Sequence, residues 1–422
     1  MSESRVDRLS NEVVSGGSHR PDEPPAAPTR AAVVTGTLAW VLLLGWLWVS
    51  SPWMLVFVVG LAASIMLHEL GHFWTARRSG MKATQFFLGF GPRIWSIHRN
   101  GVEYGVRAVP LGGFVRIIGM TNLDEVPSDD EPRTYRQATY ARRMWVITAG
   151  SVMHLIIAIV TIMGVYSVWG RVEETGRVTV SGVDSDTPAA AAGFLADDVV
   201  LAVDGRPVAT SADFRAVLAD LDPGTTHQFE IQRGDDIVEL SATLTTHPAD
   251  LAADPPVADP RGYLGVSSWS VDRVPQGVGD VVVEGPRDLV VGVGQAVVGV
   301  AKVINPVNVW GHLVGSNDDL SSRPGTIVGA TRISERAGEF DGWAGVLSLL
   351  AAVNVSVGVF NMFPLLPLDG GHAAIATYER LRSRRGHRYR ADISKLMPVA
   401  AVCIALLAFM FLTGLYLDTL QF

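Results

Sequence analysis

Cysteine is almost absent from this chain: Cys403, in an apolar stretch near the C-terminus, is the only one in 422 residues. That excludes an internal disulfide and a thiolate zinc cluster, so any metal must be held by His, Asp or Glu. Charge is scarce too, at 18% of residues against 48% hydrophobic. Together with a positive mean hydropathy, this places the chain in the membrane class. An excess of basic residues is also missing. The formal net charge is −8 and the Lys and Arg side chains cluster beside apolar runs, so nucleic acid is not an expected partner. A secretory signal is not expected either. Residues 1–31 are polar and rich in Pro, Gly and Ser, which predicts a disordered cytoplasmic tail. The apolar run that follows is too long for a signal-peptide core.

What is present is a set of long apolar runs. Residues 31–67, 145–169, 343–363 and 396–417 each reach the length needed to cross a bilayer, about 20 residues. The first is long enough for two crossings and has a natural turn at Ser50–Pro52, giving about five spans. Basic residues orient them. Arg77, Arg78, Lys82, Arg93 and Arg99 follow the second span, and Arg380, Arg382, Arg384, Arg385, Arg388, Arg390 and Lys395 lie between the last two. Both segments are expected in the cytoplasm, and five spans with the N-terminus inside put them on that same side. Residues 170–342 then face the other way. Their first part is acidic, with strand-like alternation in "VVLAVDG" and "HQFEIQRGDDIVELSATL". "SADFRAVLADL" has helical spacing with a Ser at its predicted N-cap. A Pro/Asp/Ala linker occupies 248–261, and 288–335 reads as an interfacial, amphipathic segment.

The second span ends in His68-Glu69-Leu70-Gly71-His72. On a helix, positions i and i+4 share a face, so both imidazoles can reach one metal ion while Glu69 addresses water. Two His and a Glu inside an apolar span cost several kcal/mol unless paired or metal-bound, which favours a functional reading over a chance match. Catalytic zinc usually takes three protein ligands and one open position. A third candidate lies in "NMFPLLPLDGGH", residues 361–372. Asp369 follows the fourth span near its cytoplasmic end, at the membrane depth of His68, with Pro364 and Pro367 interrupting the helix and two glycines allowing a tight turn. His372 is a rival ligand.

HExxH in an apolar span, a distant NxxPxxPLDGG and a domain between them resemble the site-2 protease family of intramembrane zinc metalloproteases, in particular its bacterial members with a PDZ domain. The resemblance runs from about residue 53 to the C-terminus. It implies a polytopic α-helical membrane protein with an inserted α+β PDZ domain, in the bacterial plasma membrane, holding one Zn2+ per chain. His68, His72 and Asp369 are implied as ligands, Glu69 as general base, and Asn361 as a group that binds substrate or steadies the developing oxyanion. "EYGVRAVPLGGFVRIIGM" (103–120) is similar to the family's membrane-associated β-hairpin, whose edge pairs with an unwound substrate; its turn contains Gly112 and Gly113. Residues 185–208 are similar to the core of a bacterial PDZ domain, and Tyr263, Leu264, Gly265 and Val266 to its carboxylate-binding strand. The layout expected is therefore an additional transmembrane helix at 32–50, one half of the protease core at 53–169, an extracytoplasmic PDZ domain at 176–247 with 262–268, and the other half of the core at 343–417. His154 stands where the family usually has Asn and reads as a packing substitution, the alternative being a contact with the active site. The remaining histidines (19, 98, 227, 247, 312 and 387) read as solvated.

The expected activity is endoproteolysis of membrane-spanning substrates, such as anti-sigma-factor-like signalling proteins and remnant signal peptides, in regulated intramembrane proteolysis. The alternative is a non-catalytic PDZ-containing membrane scaffold, whose mark would be a damaged site. A soluble zinc protease on an anchor fits poorly with HELGH lying inside the apolar run.

Overall fold

The computed structural model of the chain describes residues 30–120, 124–251, 260–317, 319–383, 389–391 and 393–420. The expected tail lies outside the described residues except for its last two, and so does most of the linker. The described residues fall into two compact units, one within Met1–Val165 and Gly279–Phe422, the other Tyr166–Val278.

In the first unit, α1 (Arg30–Ser50) and α2 (Pro52–Arg78) are separated only by Ser51, whose backbone is extended. Proline forces this break: without an N–H it cannot continue α1, yet its fixed φ suits the first position of α2. Arg77 and Arg78 close α2, where the carbonyl end of a helix favours positive charge. Two antiparallel strands follow, β1 (Ala83–Arg99) and β2 (Val102–Ile117). Their turn is Asn100–Gly101, both at positive φ (51° and 75°), a pair that suits the twist of a two-residue hairpin. This corrects the expectation that the hairpin spans 103–120 and turns at Pro110-Leu111-Gly112-Gly113. That second sequence is instead a bend inside β2, with Gly112 at φ 95°. It carries 113–116 round to the far side of β1, so Phe86 lies opposite both Tyr104 and Val115, and Leu88 opposite both Val106 and Gly113. Helix α1 rests on this hairpin: the Trp40 indole N–H donates to the Arg107 carbonyl at 3.0 Å.

After α3 (Tyr140–Trp169) comes the β-rich unit. It contains β3 (Arg171–Val183), α4 (Pro188–Ala192), β4 (Val199–Val203), β5 (Arg206–Pro207), α5 (Ser211–Ala219), β6 (Thr226–Arg233), β7 (Asp236–Thr243), β8 (Thr245–Thr246), α6 (Pro248–Leu251), β9 (Gly262–Tyr263) and β10 (Val266–Val274). The main sheet is antiparallel in the order β10-β3-β4-β6-β7, with β5 on β4, while β8 and β9 pair separately. Alternate strand residues (Val178 and Val180, Phe229 and Ile231) point into one core with Phe194, Phe214, Leu244 and Leu264. Helix α5 is capped by Thr210, not by Ser211 as the sequence suggested. Its hydroxyl accepts from the Asp213 amide while the Asp213 carboxylate takes the Thr210 amide, a reciprocal box that satisfies two otherwise orphaned donors.

The chain then forms α7 (Val278–Ile304), α8 (Pro306–Leu313), α9 (Ile327–Asn361), α10 (Asp369–Arg382) and α11 (Ile393–Leu420). The segment read as interfacial at 288–335 therefore holds parts of three α-helices and a 3-10 turn at Leu320–Ser322, and its first helix begins ten residues early; α7 and α8 are bent by 69° across Asn305. Helix α9 starts well before the apolar run at 343 and kinks at Gly342 (φ 57°). Its charged first half (Arg332, Glu335, Arg336, Glu339, Asp341) hides it from an apolarity criterion but not from helix propensity. Among the described residues five helices are long and apolar enough to cross a membrane, or six if α7 and α8 form one span.

One buried charge ties the β-rich unit together. Asp198 is 1% exposed and accepts from Arg233 Nε and Nη2 at 2.8 and 2.7 Å and from the Leu195 amide at 2.8 Å. Burial alone raises its pKa, but the guanidinium and the amide outweigh that and hold it below the usual carboxylate range. A depressed folded pKa gives stability that is present above the unfolded value, about 3.9, and is lost as pH falls through the folded one. Asp198→Asn is expected to lower this unit's stability in the full-length, detergent-solubilised protein by about 2 kcal/mol at neutral pH. Proteolysis in a urea series should show that deficit, and it should shrink in strong acid; an equal deficit at both pH values contradicts the assignment.

Candidate metal centre

Two elements far apart in sequence meet at His68, His72 and Asp369. Both histidines project from the same face of α2 and are buried. Asp369 occupies the first turn of α10, where the exposed amide end of a helix favours a carboxylate. Its two following glycines are explained by crowding, not by the tight turn expected from the sequence. A Cβ on Gly370 would lie 2.2 Å from the Phe363 carbonyl oxygen, and one on Gly371 2.8 Å from that of Leu365. Only glycines let the start of α10 sit down on the chain that leaves α9.

The three side chains present their atoms to one another. His72 Nε2 is 3.1 Å from His68 Nε2, and Asp369 Oδ2 is 3.3 Å from His72 Nε2 and 3.5 Å from His68 Nε2. His72 Nδ1 donates to the Val146 carbonyl at 2.8 Å, which leaves Nε2 of the neutral ring with a bare lone pair facing a carboxylate oxygen. Asp369 Oδ2 is itself buried without a hydrogen-bond partner among the described residues. Such a cluster of acceptors is repulsive unless a cation or a proton lies among them. Tetrahedral zinc with bonds of about 2.0–2.1 Å separates its ligand atoms by about 3.3–3.4 Å. The observed spacings, all oxygen and nitrogen donors, therefore fit one such ion.

Helix α3 supplies the wall. A Cβ on Gly150 would lie 2.4 Å from His68 Cε1 and from His72 Nε2, so both rings press against a bare backbone. Gly71 is matched in the same way, since a Cβ there would be 2.8 Å from the Ala149 carbonyl. On the other side stands the hairpin. A Cβ on Gly113 would be 3.3 Å from Glu69 Cγ, and the Val115 amide is turned to the Glu69 carboxyl. The outer strand of the hairpin thus runs past the residue expected to handle water.

Comparison with known proteins agrees with this geometry. Residues 56–407 match the family described as Peptidase family M50. The chain belongs to peptidase family M50. It is similar to the zinc metalloprotease Rip1 of Mycolicibacterium smegmatis, 32% identical over 85% of this chain and 95% of that one. It is similar also to the zinc metalloprotease Rip1 of Mycobacterium tuberculosis, 34% identical over the same shares. As a member of family M50 it is an intramembrane zinc metalloprotease of the site-2 protease type, and the scaffold alternative is not favoured. Among solved structures, a PDZ domain of an SdrC-like protein from Listeria monocytogenes matches 23% of this chain and 92% of that chain, at 23% identity and a TM-score of 0.19. A score of that size leaves the fold of the β-rich unit to be read from its own strand order.

The other residues singled out in this M50 chain are distributed unevenly. His372 is outside the cluster of three and lines a cavity of about 230 Å3 with Tyr135, Arg136, Tyr140, Arg143 and Glu379. Asn361 ends α9 and is half-buried. In the β-rich unit Leu264 is a core side chain, 1% exposed. Tyr263 donates its hydroxyl to Asp184 at 2.9 Å, and Gly265 packs against Thr187. Val266 begins β10 opposite Val183. His312, expected in solvent, is buried and bonded to Ser322 Oγ at 2.9 Å. His154 packs against the site itself: its ring lies 4.9 Å from that of His68. Gly150, Ser64 and Asn354 do not stand out in the sequence as site residues. Two of them carry a signal all the same, since Ser64 lies one turn before His68 and Asn354 is a lone amide in an apolar span.

Gly150→Ala is expected to lower zinc affinity by about 10–100-fold, because its methyl group takes the space of both imidazoles. Metal analysis of the purified variant under a graded chelator challenge measures this; retention equal to wild type contradicts the packing described.

Proposed function

We propose that His68, His72 and Asp369 hold one zinc ion per chain, that Glu69 is the general base, and that the enzyme cuts membrane-spanning substrates within or beside their span. The observation that carries this reading is the mutual spacing of 3.1–3.5 Å among the three donor atoms, reached from two remote elements. Bound there, zinc supplies Lewis acidity, polarising the scissile carbonyl and making water acidic enough to attack near neutral pH.

The chain's own residues do the rest. Glu69 takes the proton from the attacking water and passes it to the leaving amine nitrogen. A helical peptide bond is shielded, so the substrate must first become extended. Among the described residues the outer strand 113–116 pairs with β1 on one side only, and its other edge, next to Glu69, receives an unwound substrate strand. Gly112 and Gly113 shape that edge. Asn361 binds the substrate backbone or the developing oxyanion.

The β-rich unit reads as an extracytoplasmic PDZ domain, supported by its antiparallel sheet and short helices. In it the Leu264 and Gly265 carbonyls are taken by the Ala189 and Asp184 amides, while their own amides find no backbone acceptor among the described residues. Those amides suit a peptide carboxylate, and the domain acts as a size filter that admits substrates already trimmed by a first cut. On a five-span reading the catalytic groups lie near the cytoplasmic face of a bacterial plasma membrane. Anti-sigma-factor-like signalling proteins and remnant signal peptides are the substrate class. Glu69→Gln is expected to keep its zinc and lose about 10²–10⁴-fold in cleavage rate. Proteomics of membrane fractions should then show single-span fragments accumulating relative to wild type; an unchanged fragment pool, or unchanged cleavage by purified Glu69→Gln, contradicts the proposal.

A further inference from the structure

The two imidazoles of the cluster are held in different ways. His72 is fixed by its hydrogen bond to the Val146 carbonyl. His68 Nδ1 is buried and makes no hydrogen bond of good geometry; its polar neighbour is the Gly150 backbone, a weaker hold than the orienting acceptor a ligand imidazole ordinarily has. What orients His68 is its contact with α3: the bare Gly150 backbone and, one turn further along, the His154 ring, tilted by 45° at 4.9 Å.

His154 is in turn locked. It is 1% exposed, and its Nδ1 donates to Asn354 Oδ1 at 2.8 Å. The direction follows from Asn354, whose Nδ2 must donate because it lies 2.8 Å from the Leu350 carbonyl, an acceptor only. That Nδ2 also reaches Ser64 Oγ at 3.1 Å, and Ser64 donates to the Gly60 carbonyl at 2.9 Å. Ser64 and Asn354 are 2% and 0% exposed. Gly358 makes the approach possible, since a Cβ there would stand 3.0 Å from His154 Cβ. The relay joins α2, α3 and α9 at one level, and each of these hydrogen bonds ends on an acceptor. Polar groups in apolar spans are costly unless they serve an interaction.

We infer that His154 is a positioning residue: held by Asn354 and Ser64, its ring is the wedge that aims His68 Nε2 at the metal. This rests on the reading of His68, His72 and Asp369 as zinc ligands. It assigns His154 no bond to the metal and no proton transfer.

The test uses the full-length protein purified in detergent and loaded with Co2+ in place of zinc, whose visible bands report ligand geometry. His154→Ala and Asn354→Ala are expected to shift those bands and to speed metal loss to a chelator by about tenfold. The double variant should be no worse than the worse single one. His154→Phe keeps a ring but offers Asn354 no N–H, so it guards against collapse of the helix packing; a smaller shift in the same direction is expected. Wild-type bands and metal-loss rates in both His154 variants overturn the inference and leave the metal site standing. A wild-type protein that takes up no stoichiometric metal overturns the reading beneath it.

Discussion

Two imidazole nitrogens and a carboxylate oxygen face one another inside an apolar helix bundle, and much of the molecule follows from the need to hold that arrangement. Left alone, such atoms repel, and burial makes the repulsion worse by removing water. A divalent cation, or a proton, among them reverses the sign of the interaction. The cost of placing it within the spans is offset by making the supporting polar groups partners of one another: Val146 to His72, Asn354 to His154, Ser64 to Asn354.

Close approach is achieved by deletion of side chains. Gly71, Gly150, Gly358, Gly370 and Gly371 each lie where a Cβ would meet backbone or a site residue at 3.0 Å or less. None of the five has a positive φ, so space and not backbone freedom accounts for them. Their role is to let α2, α3, α9 and α10 touch backbone to ring, a use of small residues suited to helices in lipid, where apolar burial gives little drive to associate. The hairpin joins the same construction through Gly113, so strand 113–116, Glu69 and the His68, His72 and Asp369 cluster are packed together.

Much of this was legible in the chain itself. The candidate ligands His68 and His72 announce themselves by their i, i+4 spacing. Asp369 does so by its place at the depth of His68, because a carboxylate at the end of an apolar span is costly there without a cation to meet. The β-rich unit shows in its period-2 alternation. Packing partners were not legible. Nothing in the sequence says that Gly150 lies under two rings, or that His154 and Asn354, 200 residues apart, share a hydrogen bond, since such contacts are set by how helices cross. The hairpin turn was misplaced for a different reason. Asn100–Gly101 is a strong local turn signal, but the more conspicuous Pro110-Leu111-Gly112-Gly113 drew the assignment and proved to be a bend within a strand. The helical start of α9 was missed because its first turns, before Gly342, carry charge where a span would be apolar.

The most direct test of the account is X-ray absorption at the zinc edge of purified wild-type protein. The predicted result is one zinc per chain in a shell of nitrogen and oxygen alone, with two imidazoles and a carboxylate, and loss of one imidazole's scattering in His72→Ala. Absence of stoichiometric zinc, or a sulfur in the shell, would contradict it.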